Sequence, residues 1–178
     1  MDPRDSTSAP YVVPQAGDAW AQDAAAQGKR GTQQLLAVEH GPPDDDVREA
    51  LELPADEDIV VRRRLILADD KPVELADSYY PASIAAGTDL AENKRIKGGA
   101  VRVLAEAGYV FDDIAETITA RLPNAEEQQA LAVSAGDPLI VVARVSRPHE
   151  GRPVEYAFNR MVASRNAPLQ YRMRNATK

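Results

Sequence analysis

Polar and apolar residues alternate in long runs along this chain, and the runs recur in the same order. Thr32–His40, "TQQLLAVEH", suits a strand. A β-branched run at Ile59–Val61 opens a second strand that continues to Leu67. Asp69-Asp70 then make a turn, and Pro72–Tyr80 alternates back as the hairpin partner. Further on, Phe111–Leu122 alternates as a strand, and Pro138–Pro148, the loop His149–Gly151 and Arg152–Val162 form a second hairpin. Helical stretches stand between. Asp18–Gln27 is alanine-rich and stops at Gly28, and Asp44–Asp46 set acids before Val47–Leu53, where a helix dipole favours them. Ala100–Gly108 follows Gly98-Gly99 and closes on a glycine, and Pro123-Asn124 start Ala125–Val133. Strands in hairpins, rather than singly between helices, predict an α+β fold with a central antiparallel sheet and flanking helices.

The order suggests an internal pseudo-repeat. "VREALELPADEDIVVRRRLILADDKPVE" overlies "QQALAVSAGDPLIVVARVSRPHEGRPVE" at an offset of about eighty residues. Ala50 and Leu51 fall on Ala130 and Leu131, Val61 on Val141 and Arg64 on Arg144. After a one-residue gap in the second hairpin, Pro72-Val73-Glu74 falls on Pro153-Val154-Glu155. Each copy reads helix, turn, strand, hairpin, strand.

Composition narrows the chemistry. The chain has 178 residues, 44% of them hydrophobic, which suits one domain with a real core. No stretch approaches the ~20 apolar residues of a membrane span, so a cytoplasmic protein is the default. There is no cysteine and there are two histidines, His40 and His149, so metal sites and nucleophilic triads have little material and no cofactor is expected. Residues 1–58 hold thirteen acids and four bases, which argues against strong binding to a phosphate backbone by this chain alone. Residues 1–16 read as a Pro- and Ser-rich leader, 17–172 as the folded domain and 173–178 as a tail.

The motifs "GKRGTQQLLAVE", "VVRRRLILADDKPVELADSYYP", "GGAVRVLAEAGY" and "ETITARLPNAEEQQALAVSAGDPLIVVARVSRPHEGRPVEYAF" together resemble the UTRA effector-binding domain of GntR-type bacterial regulators of the HutC subfamily, over roughly Tyr11 to Arg172. The resemblance implies a chorismate-lyase-like fold with a ligand cleft, a homodimer and a small, often anionic, effector. It also implies that DNA is met only through a winged helix-turn-helix, a module for which this chain has no room before its first helix. The sequence departs from the family pattern at three places. Ile66 stands where a second arginine of Arg-x-Arg is common, Ala76 where binders of phosphorylated amino sugars carry Glu, and Gly98 or Gly99 where a helix-starting Ser is useful for phosphate.

Candidate site residues follow from both sources. Alternation puts Arg62 and Arg64 on one face and Arg63 on the other, so the three arginines cannot share one pocket. The planar fork of Arg64, and of Arg62, suits a carboxylate or phosphate, and Arg63 suits an ion pair or a solvated position. The resemblance places Arg30 and Thr32 at loop positions near an effector and Glu155 in the "G-x-P-V-E" strand that contacts effector or supports the arginines. Asn159 alternates with Glu155 on what reads as a pocket floor, and Arg144 is the arginine that Glu155 would orient across the strands. Gly98 and Gly99 offer backbone N–H groups at a helix start. Tyr79 suits either cleft or core, and Glu116 either ligand or solvent. An effector-sensing domain of a transcription regulator is the leading expectation. The alternatives are a chorismate-lyase-like carbon–oxygen lyase and a stand-alone dimerisation or antirepressor module.

Overall fold

The computed structural model describes residues 7–14 and 17–172. It contains helices α1 (Ala19–Ala26), α2 (Asp45–Ala50), α3 (Ala82–Ala85), α4 (Gly99–Glu106) and α5 (Ala125–Leu131). The strands are β1 (Gly31–Gly41), β2 (Ile59–Ala68), β3 (Lys71–Pro81), β4 (Phe111–Arg121), β5 (Leu139–Pro148) and β6 (Glu155–Val162). They form one six-stranded sheet in the order β1-β2-β3-β6-β5-β4, with every neighbouring pair antiparallel. The tight hairpin between β2 and β3 is made by Asp69 and Asp70 at φ of 48° and 63°, the left-handed geometry that matches strand twist. The α+β expectation holds, and the four-residue α3 and a 3-10 turn at Ala9–Tyr11 escaped the sequence pattern.

The sheet is two three-stranded halves meeting at β3 and β6. The repeat is wider than the sequence indicated. The starts of α1, β1, α2 and β2, at Ala19, Gly31, Asp45 and Ile59, recur eighty residues later at Gly99, Phe111, Ala125 and Leu139. A pseudo-twofold axis therefore passes between β3 and β6, which pair Ala76 with Asn159 and Ser78 with Ala157.

The two faces of the sheet are covered differently. On one face α2 buries Val47 and Leu51 against Ile59, Val61 and Tyr156, while Leu131 of α5 packs with Leu75, Leu139 and Val162. On the other face Ile84, Leu90, Val103 and Leu104 pack over Val60, Tyr80 and Val154. There α1 sits so close to β1 that a Cβ at Gly31 would lie 2.8 Å from Ala24 Cβ, and Trp20 Nε1 donates to Leu67 O at 2.9 Å. Between α1 and α4 the sheet is left uncovered by any helix.

That gap is partly closed by the stretch read as a leader. Ala9–Tyr11 form a 3-10 turn, Val12 is buried, and the Tyr11 hydroxyl donates to Asp23 Oδ2 at 3.1 Å. Within residues 7–14 Tyr11 and Val12 are thus packed against the domain, because they have apolar surface to cover, while Thr7, Pro10, Val13 and Pro14 stay exposed. Residues 1–6, 15–16 and the tail expected at 173–178 lie outside the described residues.

Candidate functional site

A cavity of about 480 Å³ fills the space between α1, α4 and the uncovered middle of the sheet. Its floor is Ala76 on β3 and Ala157 on β6, and these small side chains are why the space exists. Its walls come in pairs related by the pseudo-twofold: Arg64 with Arg144, Glu74 with Glu155, and Ser78 with Asn159. The N-terminal ends of α1 and α4 face it too, through Asp18 and Gly98. An ion pair of Arg95 with Asp18 at 3.0 Å ties the two ends together at the rim. Asp18 also caps α1 by accepting from Ala21 N at 3.2 Å.

The cavity is lined by apolar and charged groups together, and its charges are incompletely paired. Arg64 Nη2 donates to Ser78 Oγ at 2.9 Å, but its buried Nε has no hydrogen-bond partner. Arg144 is only 6% exposed, yet its Nε also lacks a hydrogen bond and its nearest carboxylate oxygen, Glu116 Oε1, is 3.5 Å away. Burial of a charged group without close partners is costly, so both guanidiniums gain from a further acceptor at their cavity-facing side. Glu155 Oε1 accepts from the buried Tyr80 hydroxyl at 2.8 Å. Burial, then the charge of Glu155, pushes the Tyr80 phenol up. Glu74 is pushed up to about 7 by burial, against the opposing pull of Arg64, Arg144 and Arg160.

Of the residues singled out from the sequence, Arg64, Gly98, Gly99, Arg144, Glu155 and Asn159 meet at this cavity. Glu116 stands behind Arg144 and accepts from the Tyr171 hydroxyl at 3.0 Å. The cross-strand partner of Arg144 is therefore Glu116, not Glu155. Four residues lie elsewhere, each for a local reason. The Arg62 guanidinium is spent on the carbonyls of Asp89, Leu90, Glu92 and Lys94 at 2.6–3.3 Å. Arg30 is exposed and paired with Asp70 beside the hairpin. Thr32, on β1 opposite Leu67, is next to Gln33, which lines the cavity, and alternation turns it to the other face of the sheet. Tyr79 stacks on Tyr156 on the opposite face of the sheet, at 5.7 Å between ring centroids. Arg63 pairs with Asp77 at 2.7 Å and Glu39 at 3.2 Å, as expected of it. Sequence reasoning passed over Glu74, Ser78, Tyr80, Tyr11 and Trp20. The repeat alignment was a usable signal for Glu74, since it already set that residue on Glu155.

Among the described residues no group of three or more His, Cys, Asp or Glu side chains is arranged to hold a metal ion, and no helix is long and apolar enough to cross a membrane.

An antiparallel sheet with one face opened into a polar cavity between two helix starts defines a small-molecule-binding α+β domain. The UTRA domain pattern matches residues 26–166, and the chain belongs to that family. It is 33% identical over 145 residues to an HTH-type transcriptional regulator of Streptomyces coelicolor, covering 79% of this chain and 54% of that protein. The chain thus spans about half the length of the curated relatives it matches. The fold is similar to that of PhnF from Mycobacterium smegmatis, at a TM-score of 0.76 and 21% identity over 87% of this chain and 68% of that one. The excised effector domain of PhnF gives a TM-score of 0.72 at 22% identity, over 86% of this chain and 93% of that one. The relatives are transcriptional regulators, and this chain is a regulatory domain of their kind.

Proposed function

We propose that this domain senses a small anionic metabolite in the cavity between α1 and α4, and that occupancy changes the geometry of a homodimer and with it the DNA affinity of a winged-helix domain. One observation carries the reading. Two arginines, Arg64 and the buried Arg144, line one cavity from pseudo-equivalent positions on either side of its floor. Their planar forks suit an anion held between them. Effector binding shifts the regulator only as far as it favours one dimer arrangement over the other. The kinship with transcriptional regulators supports regulation over catalysis.

A thermal-shift screen of anionic metabolites against wild type, Arg64→Ala and Glu155→Ala tests this. A ligand present at 100 times its Kd stabilises by about 2.7 kcal/mol, or roughly 5–10 °C for a chain of this length. The wild-type midpoint should rise by that amount and the two variants should not respond. Equal responses in all three proteins would place the ligand elsewhere.

A further inference from the structure

We propose that the ligand is a short two-ended acid, with one acidic group on Arg64 and the other on Arg144. This rests on the anion-sensing reading and narrows it. The pseudo-twofold axis brings two arginines to one cavity from equivalent positions, Arg64 on β2 opposite Ala76 and Arg144 on β5 opposite Ala157. Their Cα atoms are three strand spacings and two residues of register apart, about 16 Å, and the two alanines between them leave the space open. A ligand with one acidic group engages one fork and leaves the other guanidinium to the protein's own, more distant carboxylates.

The protein's own groups meet the two charges only loosely. Ser78 Oγ is neutral and serves one nitrogen of Arg64. Glu116 Oε1 stands 3.5 Å from Arg144 Nε, and both atoms remain without a hydrogen bond. Glu155 lines the cavity but one of its oxygens is taken by Tyr80. An acid group on each fork gives both arginines a directly hydrogen-bonded counter-charge.

Among the described residues, three carboxylates line the cavity and oppose incoming negative charge: Asp18, which is paired with Arg95, Glu155, which accepts from Tyr80, and Glu74. The groups acting on Glu74 are Arg64 on β2, Arg144 on β5, Arg160 on β6 and Tyr11 from the turn above. With its carboxyl already pushed up to about 7, a nearby anion drives it to the neutral form. Glu74 then becomes a donor to the ligand rather than a repelling charge, and binding takes up a proton.

The test is calorimetric titration of the chain with two matched series. Succinate, glutarate, adipate and phosphoglycolate are the two-ended probes, and butyrate, hexanoate and methyl phosphate are their one-ended controls. Each is titrated into wild type, Arg64→Ala, Arg144→Ala and Arg144→Lys, with unliganded thermal midpoints confirming that every variant folds. At least one two-ended probe should bind tenfold or more tighter than its control, and each single variant should cancel that advantage. Arg144→Lys, which keeps the charge but not the fork, should fall in between. If a one-ended acid binds as tightly and only one arginine matters, the two-ended ligand is overturned and the anion sensor stands. If neither series binds wild type, both readings fall.

Discussion

The two halves of the sheet share a backbone plan and differ in what they place on it. Residues eighty apart occupy equivalent positions, so the run Arg62-Arg63-Arg64 corresponds to Val142-Ala143-Arg144. Only the third arginine has a counterpart. Arg62 and Arg63 are peculiar to the first half, and both are consumed by structure there, one by loop carbonyls and the other by Asp77 and Glu39. Val142 and Ala143 meet no such loop or acid and are apolar. Of these three positions, the one the halves share faces the cavity, and the two that differ serve the first half's own structure. An acidic chain thus carries three adjacent arginines because three different partners call for them.

The largest effect is expected where this division is sharpest. Arg62→Ala uncaps four carbonyls that one guanidinium, 4% exposed as a residue, now serves. Hydrogen bonds to charged groups are worth about 1.5–3 kcal/mol, and buried acceptors left bare add to the loss. The variant should lose roughly 3 kcal/mol or more and unfold about 6–12 °C lower. Arg64→Ala, two residues along the same face, should cost within about 1 kcal/mol and remove ligand response instead. Differential scanning calorimetry with and without ligand separates the two. If Arg64→Ala proves as destabilising as Arg62→Ala, the division between shared and half-specific residues fails.

A smaller effect separates the two cavity carboxylates. Glu155 has the Tyr80 hydroxyl, while Glu74 relies on arginines acting at longer range. The folded chain holds the Glu74 proton up to about pH 7, against an ordinary value of 4.5, so between those values the folded state binds more protons than the unfolded state. Stability from this group is therefore complete below about pH 4.5 and is lost as pH rises through 7. The loss is bounded by about 3 kcal/mol. Urea midpoints at pH 5 and pH 8 should show wild type falling by about 2–3 kcal/mol more than Glu74→Gln. A slope that survives in Glu74→Gln and vanishes in Glu155→Gln would reverse the assignment.

The fold was legible because its signals are local. Alternation marked every strand, glycine, proline and aspartate marked the breaks, and the repeat appeared wherever the hairpins carried similar side chains. The α1–β1 and α4–β4 copies were not visible, since "AWAQDAAA" and "GAVRVLAE" share a helical period but almost no residues. The site was legible only in part. Arg62 and Arg64 have the same parity on β2, so alternation cannot tell them apart, and the choice is made by the distant loop at Asp89–Lys94. Tyr79 and Tyr80 are adjacent, and the sheet sends the first to the α2 side and the second into the cavity wall. Tyr11 and Trp20 become wall residues only through the packing of the N-terminal turn and α1, which no local pattern encodes.

The smallest expected effect tests whether the halves differ also in how their helices start. Asn124 caps α5 with a full capping box: its side chain accepts from Glu127 N at 2.8 Å, and Glu127 Oε2 accepts from Asn124 N at 2.9 Å. Glu127 is further fixed by both terminal nitrogens of Arg121 at 2.6 Å, which holds its carboxyl below the usual range. Asp44, the equivalent residue before α2, makes no side-chain cap bond and shares its helix end with Asp45 and Asp46. Asn124→Ala should cost about 1 kcal/mol, and Asp44→Ala only a few tenths, since two acids remain to meet the helix dipole. Guanidinium unfolding with unchanged m-values measures both. Equal losses would mean that the dipole rather than the cap bond secures these short helices, and that the two halves start their helices by the same means after all.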